Sequence, residues 1–158
     1  MTTDKYDLII TGGTIETANG TLEGDIAISD GRFAALGDLS GAEAKETLKV
    51  DGLSVLPGVI DTQVHFREPG LEHKEDLKSG SQAAVMGGVT AVFEMPNTTP
   101  PTTTKEEIED KVARGRNRMH CDYAFYVGGT HENAAEPTVL ERMEGVGGGQ
   151  VFMGSTNG

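Results

Sequence analysis

The stretch from residue 59 to residue 95 decides the fold. It reads VIDTQVHF at 59–66, HKEDLKSGSQAAVMGG at 73–88 and VTAVFEM at 89–95. The first and third segments are β-branched and apolar, which is typical of strands. The middle segment places Leu77, Ala84 and Val85 on one helical face and ends at two glycines. A strand, a helix and a second strand in succession predict a βαβ unit with parallel strands.

The same alternation continues after residue 95. The further segments are the helical TTTKEEIEDKVARGRNRM at 102–119, the strand-like DYAFYVGG at 122–129, the weaker helix EPTVLERME at 136–144 and the strand-like QVFMG from 150. The first of these helices opens with a threonine cap. Its charged residues are mostly acidic before Lys111 and basic from Lys111 onward, which indicates a solvated face. Predicted strands therefore begin near residues 58, 89, 121 and 150. Their apolar character suits strands covered on both faces, as in a barrel or a doubly wound sheet.

The N-terminal third predicts a small β unit. Between residues 6 and 55, short apolar alternations are separated by turn signals, and Asp30-Gly31 and Asp51-Gly52 have the composition of tight hairpin turns. The glycine pairs and runs at 12–13 and 147–149 are also interpreted as turns, because neither fits a phosphate-binding pattern.

Composition limits the partners and the compartment. The chain has 13 Lys and Arg against 25 Asp and Glu, and the net charge of −12 argues against nucleic acid and anionic membranes as partners. Cys121 is the only cysteine, so no intramolecular disulfide is possible, and it is interpreted as a small buried hydrophobe. No apolar run approaches the roughly 20 residues of a membrane span, and no signal peptide is recognisable. We expect a soluble, cytoplasmic protein with a small-molecule or protein partner.

Candidate functional residues follow the first two strands of the βαβ unit, because sites in parallel α/β folds lie at the carboxyl ends of strands. The first strand is expected to end at Gln63, His65 and Arg67, and the second leads to Asn97. Positions 63 and 65 share one side of a strand, a spacing by which two histidines can bind one metal ion, but only one imidazole is present. An arginine fork and an amide beside a metal would suit a small carboxylate-bearing amide. The alternatives are a structural histidine, a surface ion pair and a turn cap.

These segments carry a family resemblance. Residues 57–101 resemble the dihydroorotase branch of the amidohydrolase superfamily, close to allantoinases and hydantoinases, on the motifs REPG, EHKED and MPNT. Residues 5–55 resemble that family's N-terminal β-sandwich segment, and CDYAFYVGGT and QVFMGS resemble its third and fourth barrel strands. The resemblance implies an α/β fold: a (β/α)8 TIM-type barrel truncated near strand four. Residues 1–56 would form the β-sandwich segment and residues 57–158 the first half of the barrel.

The resemblance also implies an activity. A centre of one or two zinc ions would activate a hydroxide for attack on a ring amide carbonyl, converting dihydroorotate reversibly to carbamoyl aspartate in pyrimidine biosynthesis. By the same resemblance, His65 is a metal ligand, while Arg67 and Asn97 bind the substrate carboxylate.

The sequence departs from the family pattern at two ligand positions. Gln63 stands where the first histidine is usual, and Gln150 where many members have a carboxylated lysine. His73, His120 and His131 are not placed to substitute. The family's remaining histidines and its catalytic aspartate fall beyond residue 158 by this resemblance, so no catalytic residue is assigned within the chain.

Two expectations follow from the half-barrel that the resemblance implies, and Gln63 and Gln150 suggest an alternative function. The chain by itself should be inactive, and it should form homo-oligomers or associate through the open half-barrel. The alternative function is a noncatalytic dihydroorotase-like scaffold that partners a pyrimidine-pathway enzyme such as aspartate transcarbamoylase.

Overall fold

The computed structural model describes residues 5–134 and 137–154. The chain divides into two compact units, Met1–Pro57 and Gly58–Gly158.

The described part of the first unit consists of seven strands in two sheets. They are β1 Tyr6–Thr11, β2 Thr14–Thr17, β3 Gly20–Glu23, β4 Asp25–Ser29, β5 Arg32–Gly37, β6 Ala44–Lys49 and β7 Ser54–Val55. One sheet has the order β5-β4-β1-β6 and the other the order β3-β2-β7. Both sheets bury apolar side chains: Ile9, Ile26 and Ala27 from the first, and Ile15 from the second. Burial from both sheets is the pattern expected where two sheets share a core.

Two of the three turns predicted in this unit form as expected. Asp30-Gly31 joins β4 and β5 as an antiparallel hairpin, with φ angles of 52° and 70°. Gly12, at φ 80°, lies in the turn between β1 and β2. The hairpin predicted at Asp51-Gly52 is wrong: Gly52 has the positive φ of a turn, but β6 pairs with β1, whereas β7 pairs with β2 in the other sheet. The local sequence predicts that the chain turns here, but it does not specify which strand β7 will pair with.

The second unit has the predicted alternation of strands and helices. Its elements are β8 Val59–Val64, α1 Leu77–Met86, β9 Val89–Glu94, α2 Lys105–Gly115, β10 Asp122–Gly128, α3 Pro137–Leu140 and β11 Val146–Gln150. The four strands are parallel in the order β11-β10-β9-β8, so the βαβ prediction is confirmed. Closure into an eight-stranded barrel stays a prediction.

Local capping chemistry fixes where the two longer helices begin. Asp76 caps α1 and Thr104 caps α2, each through a side-chain oxygen that accepts the backbone N–H of the third helical residue. α1 ends at Gly87 and α2 continues to Gly115, so both helices lie within the segments that the sequence predicted. None of the described helices is long and apolar enough to cross a membrane.

The fourth strand lies earlier in the chain than predicted. It covers residues 146–150 and ends where the sequence pattern placed its beginning, and the glycines at 147–149 lie in the strand instead of forming a turn. Pairing with β10 specifies this strand, since Tyr126 lies opposite Gly148 and Val127 opposite Gly149. A Cβ at Gly147 would lie only 3.0 Å from the Phe93 ring, so a side chain there would crowd the sheet face.

The helices cover one face of this sheet and bury its core there. Phe66, Leu77, Val92 and Phe125 form one buried cluster, and Ile108, Val127 and Leu140 form a second. Cys121 packs against the first cluster, as expected of a small hydrophobe, but it is half-buried and not buried as predicted. On the opposite face, Phe93 and Tyr126 pack edge to face with ring centroids 5.9 Å apart.

Candidate functional site

The candidate site lies where the chain leaves β8 and β9, at the carboxyl ends of these strands. The two segments are joined by backbone hydrogen bonds, from Met95 N to Val64 O at 2.9 Å and from Thr99 N to Pro69 O at 3.0 Å. Gly70 has a φ of 91°, and a Cβ there would overlap the carbonyl oxygen of Thr99. Only glycine therefore allows the two segments to approach so closely.

The structure brings His65 and Asn97 together. His65 Nδ1 lies 2.9 Å from Asn97 Oδ1, although the residues are 32 positions apart in sequence. His65 is half-buried and Asn97 is buried. The prediction that the strand extends through His65 and Arg67 is wrong, because β8 ends at Val64, but both residues still follow the strand directly.

Arg67 occupies an unusual backbone conformation for a residue with a side chain. Its φ is 66°, in the left-handed region, and its carbonyl accepts the N–H of Leu71 at 3.0 Å. Such conformations cost roughly 1 kcal/mol or more and cluster at functional sites. Among the ion pairs in the described part of the chain, none includes Arg67, so the surface ion pair considered from sequence is not observed there.

Glu68 anchors this segment and was not recognised as important from the sequence. Its buried carboxylate accepts two hydrogen bonds from the Arg118 guanidinium, at 2.6 and 3.0 Å, and one from the N–H of Leu77 at 3.1 Å. Burial acts to raise the pKa of Glu68, but the hydrogen bonds from Arg118 and Leu77 outweigh it and leave the pKa below its ordinary value. The acidic residue beside Arg67 is thus a structural link from the β8 loop to the start of α1 and the end of α2.

A buried ion pair lies beneath the two loops, on the helical side of the sheet. Lys111 Nζ and Glu94 Oε1 are 3.8 Å apart, and each side chain is 1% exposed. Burial raises the pKa of Glu94 to about 7, against the attraction of Lys111 and Arg67, and lowers the pKa of Lys111 to about 8, against that of Glu94. Lys111 was predicted to lie on a solvated face, and that prediction is wrong because its position in α2 faces β9.

The Lys111 ammonium is also held by a second acceptor. It donates to the carbonyl oxygen of Met95 at 3.0 Å, at the start of the segment that carries Asn97. Phe66, next to His65, donates its backbone N–H to Glu94 Oε2 at 2.9 Å. Lys111 and Glu94 therefore hold the backbone next to Asn97 and His65 in place.

The two glutamines at the expected ligand positions lie in different surroundings. Gln63 is exposed on β8, and Gln150 ends β11 with its Oε1 buried and unpartnered within the described residues. The histidines set aside from sequence, His73, His120 and His131, are all exposed.

The donor set does not fit a zinc centre. Across residues 5–134 and 137–154, no group of three or more His, Cys, Asp or Glu side chains is placed to hold a metal ion. A catalytic zinc takes three protein ligands, and a neutral amide is a poor one. His65 is the one imidazole at the site, so the described residues alone do not form a metal site.

Comparisons with known proteins converge on one group. Residues 52–148 match the family described as dihydro-orotase-like. An allantoinase of Deinococcus radiodurans is 38% identical over 150 residues, which cover 94% of this chain and 33% of that protein. A dihydroorotase of Methanothermobacter thermautotrophicus is 40% identical over 104 residues, covering 66% of this chain and 24% of the relative.

The structural comparison agrees with these relatives. The solved structure of an L-hydantoinase (dihydropyrimidinase) from Arthrobacter aurescens superposes with a TM-score of 0.78 at 35% identity, covering 83% of this chain and 30% of the other. The chain spans about a third of the length of the curated relatives it matches.

Proposed function

The chain belongs to the dihydro-orotase-like family, and on that premise we propose that it supplies the substrate-binding part of a cyclic amide hydrolase that acts on dihydroorotate. The proposed reaction adds one water molecule across the ring amide C–N bond, giving carbamoyl aspartate, and runs in either direction. In this assignment Arg67 and Asn97 bind the ring carboxylate and thereby orient the ring.

The proposal rests on two properties of Arg67: its side chain has no ion-pair partner among the described residues, and its backbone is left-handed. Its guanidinium joins no ion pair in the described part of the chain, and its backbone holds a left-handed conformation at the mouth of the sheet. An arginine with no carboxylate within ion-pair distance is suited to a bidentate pair with a ligand carboxylate. The Asn97 amide nitrogen likewise has no partner within the described residues, and it can donate to the same group.

The described residues bind and position the ring but do not supply a water-activating group. Within residues 5–134 and 137–154, His65 is the only imidazole at the site, and the donor set lacks the ligands that a zinc-bound water requires. We therefore expect that the purified 158-residue chain does not turn over dihydroorotate, hydantoin or allantoin.

Binding tests the proposal with two matched ligands. Dihydroorotate and dihydrouracil share the ring and differ only in the carboxylate. We expect titration calorimetry or ligand-observed NMR to detect dihydroorotate and to find dihydrouracil at least about tenfold weaker, since a charge-assisted hydrogen bond contributes about 1.5–3 kcal/mol. Equal binding of the two ligands, or tighter binding of allantoin than of dihydroorotate, would overturn the carboxylate assignment.

A matched variant tests the residue. Arg67→Gln retains the Cβ and the strained backbone but removes the charge, and it should weaken dihydroorotate binding about tenfold or more. Arg116→Gln, at an exposed position beyond α2, should leave the affinity unchanged. If both variants bind as the unaltered chain does, Arg67 is not part of the site.

The second candidate function is that of a noncatalytic member of the family that binds a protein partner. The observation that favours it is the pair of amides, exposed at Gln63 and buried without a partner at Gln150, where the resemblance implies metal-binding groups. Such a protein would retain the fold and bind a protein partner without turnover. Association of the chain with itself through the edge strands β8 and β11 also stays a prediction.

A further inference from the structure

The hydrogen bond between His65 and Asn97 restricts which ring nitrogen carries the proton. An amide oxygen can only accept a hydrogen bond, and Asn97 Oδ1 faces His65 Nδ1 at 2.9 Å. Nδ1 must therefore be the protonated nitrogen. A neutral imidazole has one N–H, so Nε2 retains its lone pair.

The backbone around Asn97 is held in place, and its side chain is largely buried. Its neighbours are fixed by backbone hydrogen bonds from Met95 N to Val64 O and from Thr98 N to Pro96 O, both at 2.9 Å. The Asn97 side chain is only 9% exposed. An exposed imidazole exchanges freely between its two neutral tautomers, whereas a fixed acceptor on one side favours the form that donates to it.

Two polar atoms of this pair remain without a partner within the described residues. Neither His65 Nε2 nor the Asn97 amide nitrogen has a hydrogen-bond partner within the described residues, and neither is among the buried unpartnered atoms. Neither atom is therefore fully buried. One side chain thus offers its oxygen to the histidine and its N–H groups to the site.

We propose that Asn97 is a positioning residue that holds His65 as the Nδ1–H tautomer and so leaves the Nε2 lone pair directed to the site. The inference about the tautomer stands on the geometry of the pair. Its extension to a ligand bound by the Asn97 N–H groups rests on the proposed function. A carboxylate that accepts from the Asn97 amide polarises it and strengthens the bond from His65 in turn.

Imidazole nitrogen NMR tests the tautomer directly. Long-range proton–nitrogen correlation of the ¹⁵N-labelled chain distinguishes protonated from unprotonated ring nitrogens in each of the four histidines. Spectra are compared at a pH at which the His65 ring carries a single proton, and His65→Gln assigns its signals. We expect His65 to show a protonated Nδ1 and an unprotonated Nε2. A protonated Nε2 in the unaltered chain would overturn the inference.

Variants at position 97 show whether the asparagine is the cause. Asn97→Ala removes the acceptor, and the Nδ1–H form should fall from nearly the whole population to the minor form. Asn97→Asp keeps an acceptor of the same size and should restore Nδ1–H. Asn19→Ala, an exposed asparagine of the first unit, should leave the His65 signals unchanged. If the His65 pattern is the same in Asn97→Ala, Asn97 does not position the ring.

The histidines outside the site serve as folding controls. Unchanged signals from His73, His120 and His131, together with an unchanged circular dichroism spectrum, identify variants that have kept the fold. If Asn97→Ala unfolds, Asn97→Asp and the unaltered chain still decide the tautomer.

Addition of dihydroorotate separates this inference from the proposed function. An Nδ1–H tautomer without dihydroorotate binding would support the positioning role and contradict the proposed substrate. Dihydroorotate binding with a protonated Nε2 would contradict the positioning role alone.

Discussion

Replacement of Lys111 by methionine should strongly destabilise the second unit. Methionine retains the length and packing of the side chain but removes the ammonium that lies 3.8 Å from Glu94 Oε1. It also removes the hydrogen bond to Met95 O and the cation–π contact with Phe125, whose ring centroid is 5.4 Å from Nζ. Glu94 would then lack its counter-charge at a site where it is 1% exposed, and since its pKa is already about 7 beside Lys111, it would take up a proton at neutral pH.

The expected cost follows from burial. Removing one partner of a buried ion pair typically costs about 3–5 kcal/mol, because the group left behind must either stay charged and desolvated or take up a proton that it does not bind in the unfolded state. Replacing both partners, in Glu94→Gln with Lys111→Met, removes that penalty, and we expect the double variant to recover about 2 kcal/mol or more over Lys111→Met. The exposed pair of Lys105 and Glu109, at 3.7 Å, gives the control: Lys105→Met should cost about 0.5 kcal/mol or less.

The buried pair of Glu94 and Lys111 should also change how the free energy of unfolding depends on pH. The pKa of Glu94 rises on folding from 4.5 to about 7, so the folded state binds its proton more tightly and stability falls as pH rises through that range. The pKa of Lys111 falls on folding from 10.5 to about 8, so stability rises as pH increases from about 8 to 10.5. The contribution of the pair is therefore least between about pH 7 and pH 8, and the double variant should lose this minimum.

Urea unfolding monitored by circular dichroism measures these effects, with comparable m-values required for the comparison. A cost below about 1 kcal/mol for Lys111→Met, or an equal cost for Lys105→Met, would contradict the assignment of a buried, energetically coupled pair. A double variant as unstable as the sum of the two single variants would show that the charges do not interact.

Further predictions concern the segment that follows β8. Gly70→Ala should lower the free energy of unfolding by about 2 kcal/mol or more, because the new Cβ meets the carbonyl of Thr99. Gly31 has a similar positive φ and open space around it, so Gly31→Ala should cost only about 1 kcal/mol. Equal losses of stability in urea unfolding would refute the steric explanation. Arg118→Met removes both guanidinium hydrogen bonds to the buried Glu68 carboxylate and should cost about 2 kcal/mol, since Arg114 Nη1 remains 3.6 Å from Glu68 Oε1; a melting-temperature series would detect the loss. Because the pKa of Glu68 is lowered on folding, its stabilising contribution is present above pH 4.5 and lost as pH falls below it; the acid limb of the stability curve should flatten in Arg118→Met.

Glycines and charged residues mark where prediction from sequence failed in this chain. Gly147 to Gly149 carry no strand propensity, yet they lie in β11 because β10 offers a partner edge, and a side chain at Gly147 would crowd the Phe93 ring. Lys111 reads as one charge among many on a polar helix, and only the packing of α2 against β9 buries it. Glu68 lies in the REPG motif, but its structural role could not be predicted from sequence, since its partner Arg118 is 50 residues away.

The sequence by itself determined the alternation of strands and helices, the caps Asp76 and Thr104, and the position of His65, Arg67 and Asn97 directly after the first two strands of the parallel sheet. These features depend on neighbours within a few residues, through side-chain periodicity and local hydrogen bonds. Only the tertiary structure decided that His65 bonds Asn97, that Glu94 and Lys111 share a buried site, and that residues 146–150 form the fourth strand. Those outcomes depend on which segments lie side by side, because burial and pairing are properties of distant parts of the chain brought into contact.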